Sequence, residues 1–144
     1  MADAALANLQ ATALTTRCHN VYFRQKQLKC LHDVLRKETT VIRDAIKQDI
    51  RVSEVDATIE VALALNVIKE HHAAINPERE LENEHRIAHG DNAANAREPW
   101  GVVYVEPQQS HTPFYSIIVA LCAALAAGNC VALKVGEPFT SKEF

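Results

Sequence analysis

The chain has 144 residues, 48% hydrophobic and 23% charged, with a net charge of -3 and an isoelectric point near 6.1. That is enough apolar sequence for one domain with a buried core, without the bias of a disordered or repetitive chain, and the acidic balance argues against a nucleic-acid partner. The longest apolar run, Ile117 to Ala127, has 11 residues and is too short for a membrane span; with an acid at Asp3 and no basic residue before Arg17, the start fits neither a secretory signal nor a transit peptide, which points to a soluble cytoplasmic protein.

Apolar residues recur at spacings of three and four from Leu14 to Ile50, at Leu28, Leu31, Leu35, Ile42, Ala45 and Ile46, which predicts helices with a break near Glu38-Thr39-Thr40. The basic residues between Arg24 and Lys37 are interleaved with Asp33, and Lys29, Asp33 and Lys37 stand at i,i+4, the pattern of a solvated helix face. Ser53 with Asp56 three residues on resembles a capping box. Behind it Val55, Ile59, Ala62, Leu63 and Val67 form one stripe, and Pro77 ends the helix around residues 72–76. The segment 14–76 is therefore read as helical.

Between Glu80 and Arg97 the helical period fades. His85, Ile87 and His89 alternate with polar residues up to the turn signal Gly90-Asp91-Asn92, so a two-stranded hairpin is predicted over 80–98. Gly101 to Val105 is β-branched enough for a buried strand. Thr112-Pro113 offers an N-cap with proline at the first helical position, and the run from Pro113 to Ala127 is apolar nearly all round. Gly128 supplies a left-handed C-cap before Cys130 to Val135, a second strand. A crossover of this length makes the two strands parallel with a right-handed connection. The predicted fold class is α/β: amino-terminal helices, a hairpin, and a parallel βαβ unit over 99–137, the opening of a nucleotide-binding domain.

In open parallel sheets ligands bind beyond the carboxyl ends of the strands. Here those ends are Glu106 to His111 and Lys134 to Glu137. Lys134 offers donors to ribose or phosphate oxygens, and Glu137 can accept from the ribose hydroxyls of an adenosine. Taken bare, a lysine at a strand end is also an ordinary surface residue.

The motifs Glu98-Pro99-x-Gly101-Val102-Val103, Pro113-Phe114 and Ala126-Ala127-Gly128-Asn129, followed by Leu133-Lys134-x-x-Glu137, occur in an order and spacing that resembles the aldehyde dehydrogenase family. Upstream, Phe23-Arg24-x-x-Gln27-Leu28 and the segment from Asp49 to Glu60 are similar to the opening of its shorter, class 3-like members. The resemblance implies NAD(P)-dependent oxidation of an aldehyde: a cysteine thiolate attacks, hydride passes to the nicotinamide, and a glutamate activates water. It implies that Lys134 and Glu137 hold the adenosine ribose. Glu137 would repel a 2′-phosphate, so NAD is expected rather than NADP.

The departures point the other way for chemistry. Where family members carry Trp-Asn-x-Pro, whose asparagine is an oxyanion-hole donor, this chain has Ser110-His111-Thr112-Pro113, so His111 stands in the asparagine's place with one extra residue before it. Losing one such donor typically lowers turnover roughly 100 to 1,000-fold. Leu-Lys-Pro-Ser-Glu has become Leu133-Lys134-Val135-Gly136-Glu137. The family's glycine-rich cofactor segment, general-base glutamate and nucleophilic cysteine correspond to positions beyond residue 144, so the chain reads as the amino-terminal part, lacking the catalytic carboxy-terminal portion.

No replacement nucleophile is evident. Cys122 and Cys130 sit in apolar runs and read as small core hydrophobes with raised thiol pKa. All four cysteines lack the spacing of a disulfide framework and are expected as thiols. Cys18-His19 and Cys30-x-His32, if carried by one helix, would lie roughly 18 Å apart, too far for one metal ion. His71, His72, His85 and His89 read as surface residues.

Two other readings stay open. One is a non-catalytic module that binds nucleotide or pairs with another subunit, a second copy or a full-length family member, because an uncovered apolar edge at Cys130 to Val135 invites a partner. The other is a helical scaffold without a ligand. The expected hairpin around Gly90 resembles the region through which family members associate.

Overall fold

The structure, a computed structural model, describes residues 2–92, 98–106 and 111–134. Six α-helices are found among them: α1 (Ala2–Leu14), α2 (Val21–Lys37), α3 (Thr39–Ile50), α4 (Glu54–Ala74), α5 (Pro77–Ala88) and α6 (Pro113–Ala126). A short 3-10 helix, Arg17–His19, joins α1 to α2, and two strands, β1 (Val102–Val105) and β2 (Cys130–Leu133), flank α6. None of the described helices is long and apolar enough to cross a membrane.

The strands pair in parallel, Val102 opposite Cys130 through Val105 opposite Leu133, so the βαβ unit forms as expected. Helix α4 packs against α6, α2 and α3, while α1 packs on both strands. The main core joins Val21 and Leu28 of α2, Ala64 and Ile68 of α4, Ile75, and Ile118 and Cys122 of α6; a smaller cluster joins Ile46 of α3 to Ala57 and Val61 of α4. The break between α2 and α3 falls at Glu38, as the apolar period predicts.

Local chemistry sets the helix ends. Ser53 Oγ accepts from the Asp56 N–H at 3.1 Å and donates to the Asp56 carboxylate at 2.7 Å, so the capping box closes on its own side chains. Gly128, at φ +85°, ends α6 in a Schellman arrangement: its N–H donates to Leu125 O at 3.1 Å and the Asn129 N–H donates to Ala124 O at 3.0 Å.

Four expectations are corrected. The hairpin over 80–98 does not form, because Pro77 to Ala88 is helix α5. Asn76 caps it, accepting from the Arg79 N–H at 3.1 Å, Pro77 takes the first turn, and Glu78 and Glu80 lie at its positive end. Gly90 is the Schellman residue of this helix rather than a hairpin turn: the Gly90 N–H donates to Ile87 O at 3.0 Å and the Asp91 N–H to Arg86 O at 2.9 Å. Residues 93–97, also assigned to the hairpin, lie outside the described residues.

The inward stripe of α4 is also different. Ala57, Glu60, Val61, Ala64 and Ile68 are buried, while Val55, Ile59 and Leu63 are 66%, 50% and 46% exposed. Helix α4 has apolar residues on most of its circumference, so the period alone leaves its rotation open, and the neighbours decide which side is covered. Helical structure begins at Ala2 rather than Leu14, since the alanine-rich start favours helix without an amphipathic signature. His71 and His72 are half-buried rather than on the surface.

Candidate functional site

The βαβ unit brings the two strand ends together at one rim. The Lys134 N–H donates to Val105 O at 3.0 Å, extending the ladder one step, and the Lys134 ammonium donates to Glu106 Oε1 at 2.5 Å. The Tyr104 hydroxyl donates to the other Glu106 oxygen at 3.4 Å. All three side chains are exposed. Hydrogen bonding and then the charge of Lys134 hold the Glu106 carboxyl below the usual 4.5, and the same bond and charge from Glu106 hold the Lys134 ammonium above its usual 10.5.

The pH limits of this pair follow from the two directions. A carboxyl that titrates lower in the folded state contributes stability present above its unfolded value and lost as pH falls through the folded one; a raised ammonium contributes stability lost as pH rises through its folded value. With both groups in solvent the contribution is small. In a carboxyl-detected NMR titration, Glu106 is expected to ionise with a midpoint below 4.5, moving back toward 4.5 in Lys134→Met. An identical midpoint in the two proteins would show that the pair does not form in solution.

Of the residues singled out in the sequence, Lys134 therefore stands at the predicted rim, at the end of β2. Glu137 lies outside the described residues. His111 is exposed and directly precedes Thr112, the N-cap of α6; the amino end of the crossover helix follows the carboxyl end of β1, so His111 belongs to the same side of the unit. Cys122 is fully buried in α6, and burial pushes its thiol up to about 11. Cys130, at the start of β2, is also buried, and its thiol is raised first by burial and then by a hydrogen bond with Cys18. Neither has the lowered pKa of a nucleophile. Cys18 and Cys30 fall on different elements, and no group of three or more metal-ligating side chains occurs among the described residues.

Three buried polar residues hold this unit in place, and one of them, Arg24, corrects the expectation of a solvated helix face from Arg24 to Lys37: it is 7% exposed, turned inward because its guanidinium finds partners there. Asn129, 6% exposed, accepts through Oδ1 from the N–H groups of Trp100 at 2.7 Å and Gly101 at 3.0 Å. It thereby ties the turn after α6 to the start of β1. Glu60 of α4, 3% exposed, accepts from the Tyr115 N–H in the first turn of α6 at 3.0 Å, where the helix dipole favours an anion. At the other end of α6, Arg24 of α2 donates to Ala126 O at 2.7 Å and to Glu80 at 2.7 Å, a cation on a helix carboxyl end. The signal for Glu60 and Arg24 was a charge inside an apolar stripe, which is costly unless partnered.

A cavity of about 290 Å³ opens beside Arg24 and Glu80, bordered by His19, Arg79, Glu98 and Pro99. Pro99 and Ala127, which also line it, precede the amino ends of the two strands. It therefore lies at the opposite end of the unit from Lys134 and is not the predicted cofactor rim.

Comparison with known proteins gives a consistent result. The family model described as "Aldehyde dehydrogenase family" matches residues 1–141. The chain is 29% identical over 138 residues to aldehyde dehydrogenase family 3 member B1 of Bos taurus, covering 92% of this chain and 29% of that protein. It is 32% identical over 123 residues to the Homo sapiens protein of the same name, covering 80% of this chain and 25% of that one. An aldehyde dehydrogenase of Craterostigma plantagineum is 27% identical over 147 residues, covering 97% of this chain and 30% of that protein. The chain thus spans less than a third of the length of these relatives. No solved structure gives a significant match.

Proposed function

Because the chain belongs to the aldehyde dehydrogenase family, we propose that it supplies the amino-terminal, cofactor-side part of an NAD-dependent aldehyde-oxidising protein and performs no oxidation by itself. Lys134 and Glu137 hold the adenosine ribose, and the acid at Glu137 disfavours the 2′-phosphate of NADP. His111 stands where the family's oxyanion-hole asparagine would be. The single observation that carries this reading is the placement of Lys134 at the carboxyl end of β2, on the rim it shares with Glu106. The donor chemistry fits a ribose: an ammonium carries three N–H donors, of which Glu106 accepts one, and the side chain is exposed.

The test is a thermal-shift titration of the purified chain with NAD, together with an assay of aldehyde-dependent NADH formation. The expected result is a rise in melting temperature with NAD, a weaker response to NADP, loss of the response in Lys134→Met, and no NADH formed. Equal responses to the two cofactors would remove the role of Glu137, no response would remove the cofactor site, and turnover would contradict the assignment of the chemistry elsewhere.

A second reading, a subunit-interaction module, is favoured by the exposure of Val55, Ile59 and Leu63 along α4. It predicts a dimer or larger species on sizing, with no response to either cofactor.

A further inference from the structure

Cys18 and Cys130 are 112 residues apart in the chain, yet their Sγ atoms lie 3.6 Å apart. We propose that these two thiols form a modification site, oxidised by a hydroperoxide to an intramolecular disulfide that staples the segment after α1 to the start of β2.

Both cysteines sit in backbone that is held by neighbouring hydrogen bonds. Cys18 lies in the 3-10 helix between Thr16, whose left-handed φ of +58° is unusual for a β-branched residue, and Asn20, which caps α2 by accepting from the Phe23 N–H at 3.0 Å. Cys130 opens β2, its N–H donating to Gly101 O at 2.8 Å. Gly128 lets the two segments meet, since a Cβ built there would stand 2.8 Å from the Cys18 carbonyl oxygen. A disulfide requires the sulfurs to close from 3.6 Å to about 2.05 Å. The other two cysteines are differently placed: Cys30 is exposed and Cys122 is buried in α6.

The chemistry balances with the peroxide as the oxidant. The half-buried Cys18, as thiolate, attacks a peroxide oxygen; the O–O bond breaks, Cys18 becomes a sulfenic acid, and hydroxide or alkoxide leaves and takes up a proton. The Cys130 thiol then loses its proton and attacks the Cys18 sulfur, forming the S–S bond and expelling hydroxide, which leaves as water. Two thiols are oxidised and one peroxide is reduced. Cys130 is suited to the second step because it is only 8% exposed and meets Cys18 directly. The linkage closes a long loop and fixes the chain after α1, the helix that packs on both strands.

The experiment exposes the 144-residue chain to hydrogen peroxide, quenches it, and alkylates it in denaturant. Alkylated thiols are expected to fall from four to two, with the intact mass of the unalkylated protein 2 Da lower and a dithiothreitol-sensitive peptide joining Cys18 to Cys130. The oxidised protein is expected to melt several degrees higher. Cys30→Ser and Cys122→Ser are expected to retain the cross-link and Cys18→Ser to lose it. Four alkylated thiols after oxidation, a Cys30-linked dimer as the main product, or Cys18 sulfinic acid beside an alkylatable Cys130 would each overturn the proposal. The wild-type peptide map decides this whether or not a given variant folds.

Discussion

Replacing Asn129 by alanine is expected to destabilise the chain by about 2–4 kcal/mol, because the Trp100 and Gly101 N–H groups lose the acceptor they share and the space filled by the 6% exposed Asn129 side chain is emptied. For a chain of this size the melting temperature should fall roughly 5–15 °C, readable by circular dichroism. Asn129→Asp is expected to retain more stability than Asn129→Ala: a carboxylate still accepts from both N–H groups, although it gives up the amide donation to Ala124 O at 3.3 Å. The effect should extend to β1. Amide exchange at Val102 to Val105 should quicken more than exchange in α3, which lies in a separate packing cluster. A loss below about 0.5 kcal/mol, at the level of an ordinary surface substitution, would show that Asn129 does not tie the two segments together.

The second large effect is expected at Gly128. Alanine there meets two penalties: a φ of +85° that side chains rarely adopt, and a Cβ 2.8 Å from the backbone oxygen of Cys18. Together they should cost about 2–4 kcal/mol. Gly90 provides the control, because it has nearly the same φ, +82°, with nothing within 4 Å of a built Cβ. Gly90→Ala should cost about 1 kcal/mol, the backbone share alone. Chemical denaturation of the two variants therefore separates backbone strain from steric approach; equal losses would mean that the Cys18 segment moves aside at little expense. Such movement would also weaken the cysteine pairing, since Gly128 is what allows Cys18 to approach β2.

Much of the carboxyl-terminal unit was legible because its signals are local and agree with one another. Pro113 starts α6, Gly128 ends it, and the short apolar runs on either side, β-branched in β1, pair in parallel at one-to-one register. In the segment after α4 the local signals are ambiguous. Pro77 marks the end of one helix, but Asn76-Pro77-Glu78 is also the start of another, and Gly90, whose neighbours Asp91-Asn92 give it the composition of a turn, closes that second helix. The alternation of His85, Ile87 and His89 is short enough to arise in a helix, where His85 and His89 stack at 4.2 Å as i,i+4 neighbours.

What was not legible depends on contacts between distant segments. Nothing local distinguishes Val55, Ile59 and Leu63 from Val61, Ala64 and Ile68 on a helix apolar on most sides; packing against α2, α3 and α6 selects the second set. Likewise Glu60, Arg24 and Asn129 gain their meaning from partners 55, 102 and 28 residues away, and Lys134 meets Glu106 across 28 residues.

Residue type, spacing and cap chemistry act within a turn or two of chain, and they suffice for the family, the parallel βαβ unit, the glycine that closes its helix and the rim on which Lys134 falls; at the other end of that helix the expected N-cap Thr112 makes no side-chain cap hydrogen bond. Which face of α4 is buried, which buried charges hold the two ends of α6, and the approach of Cys18 to Cys130 emerge from packing between distant segments. Those outcomes arise from burial and from polar groups finding partners once water is excluded, and a linear reading contains neither the neighbours nor the distances.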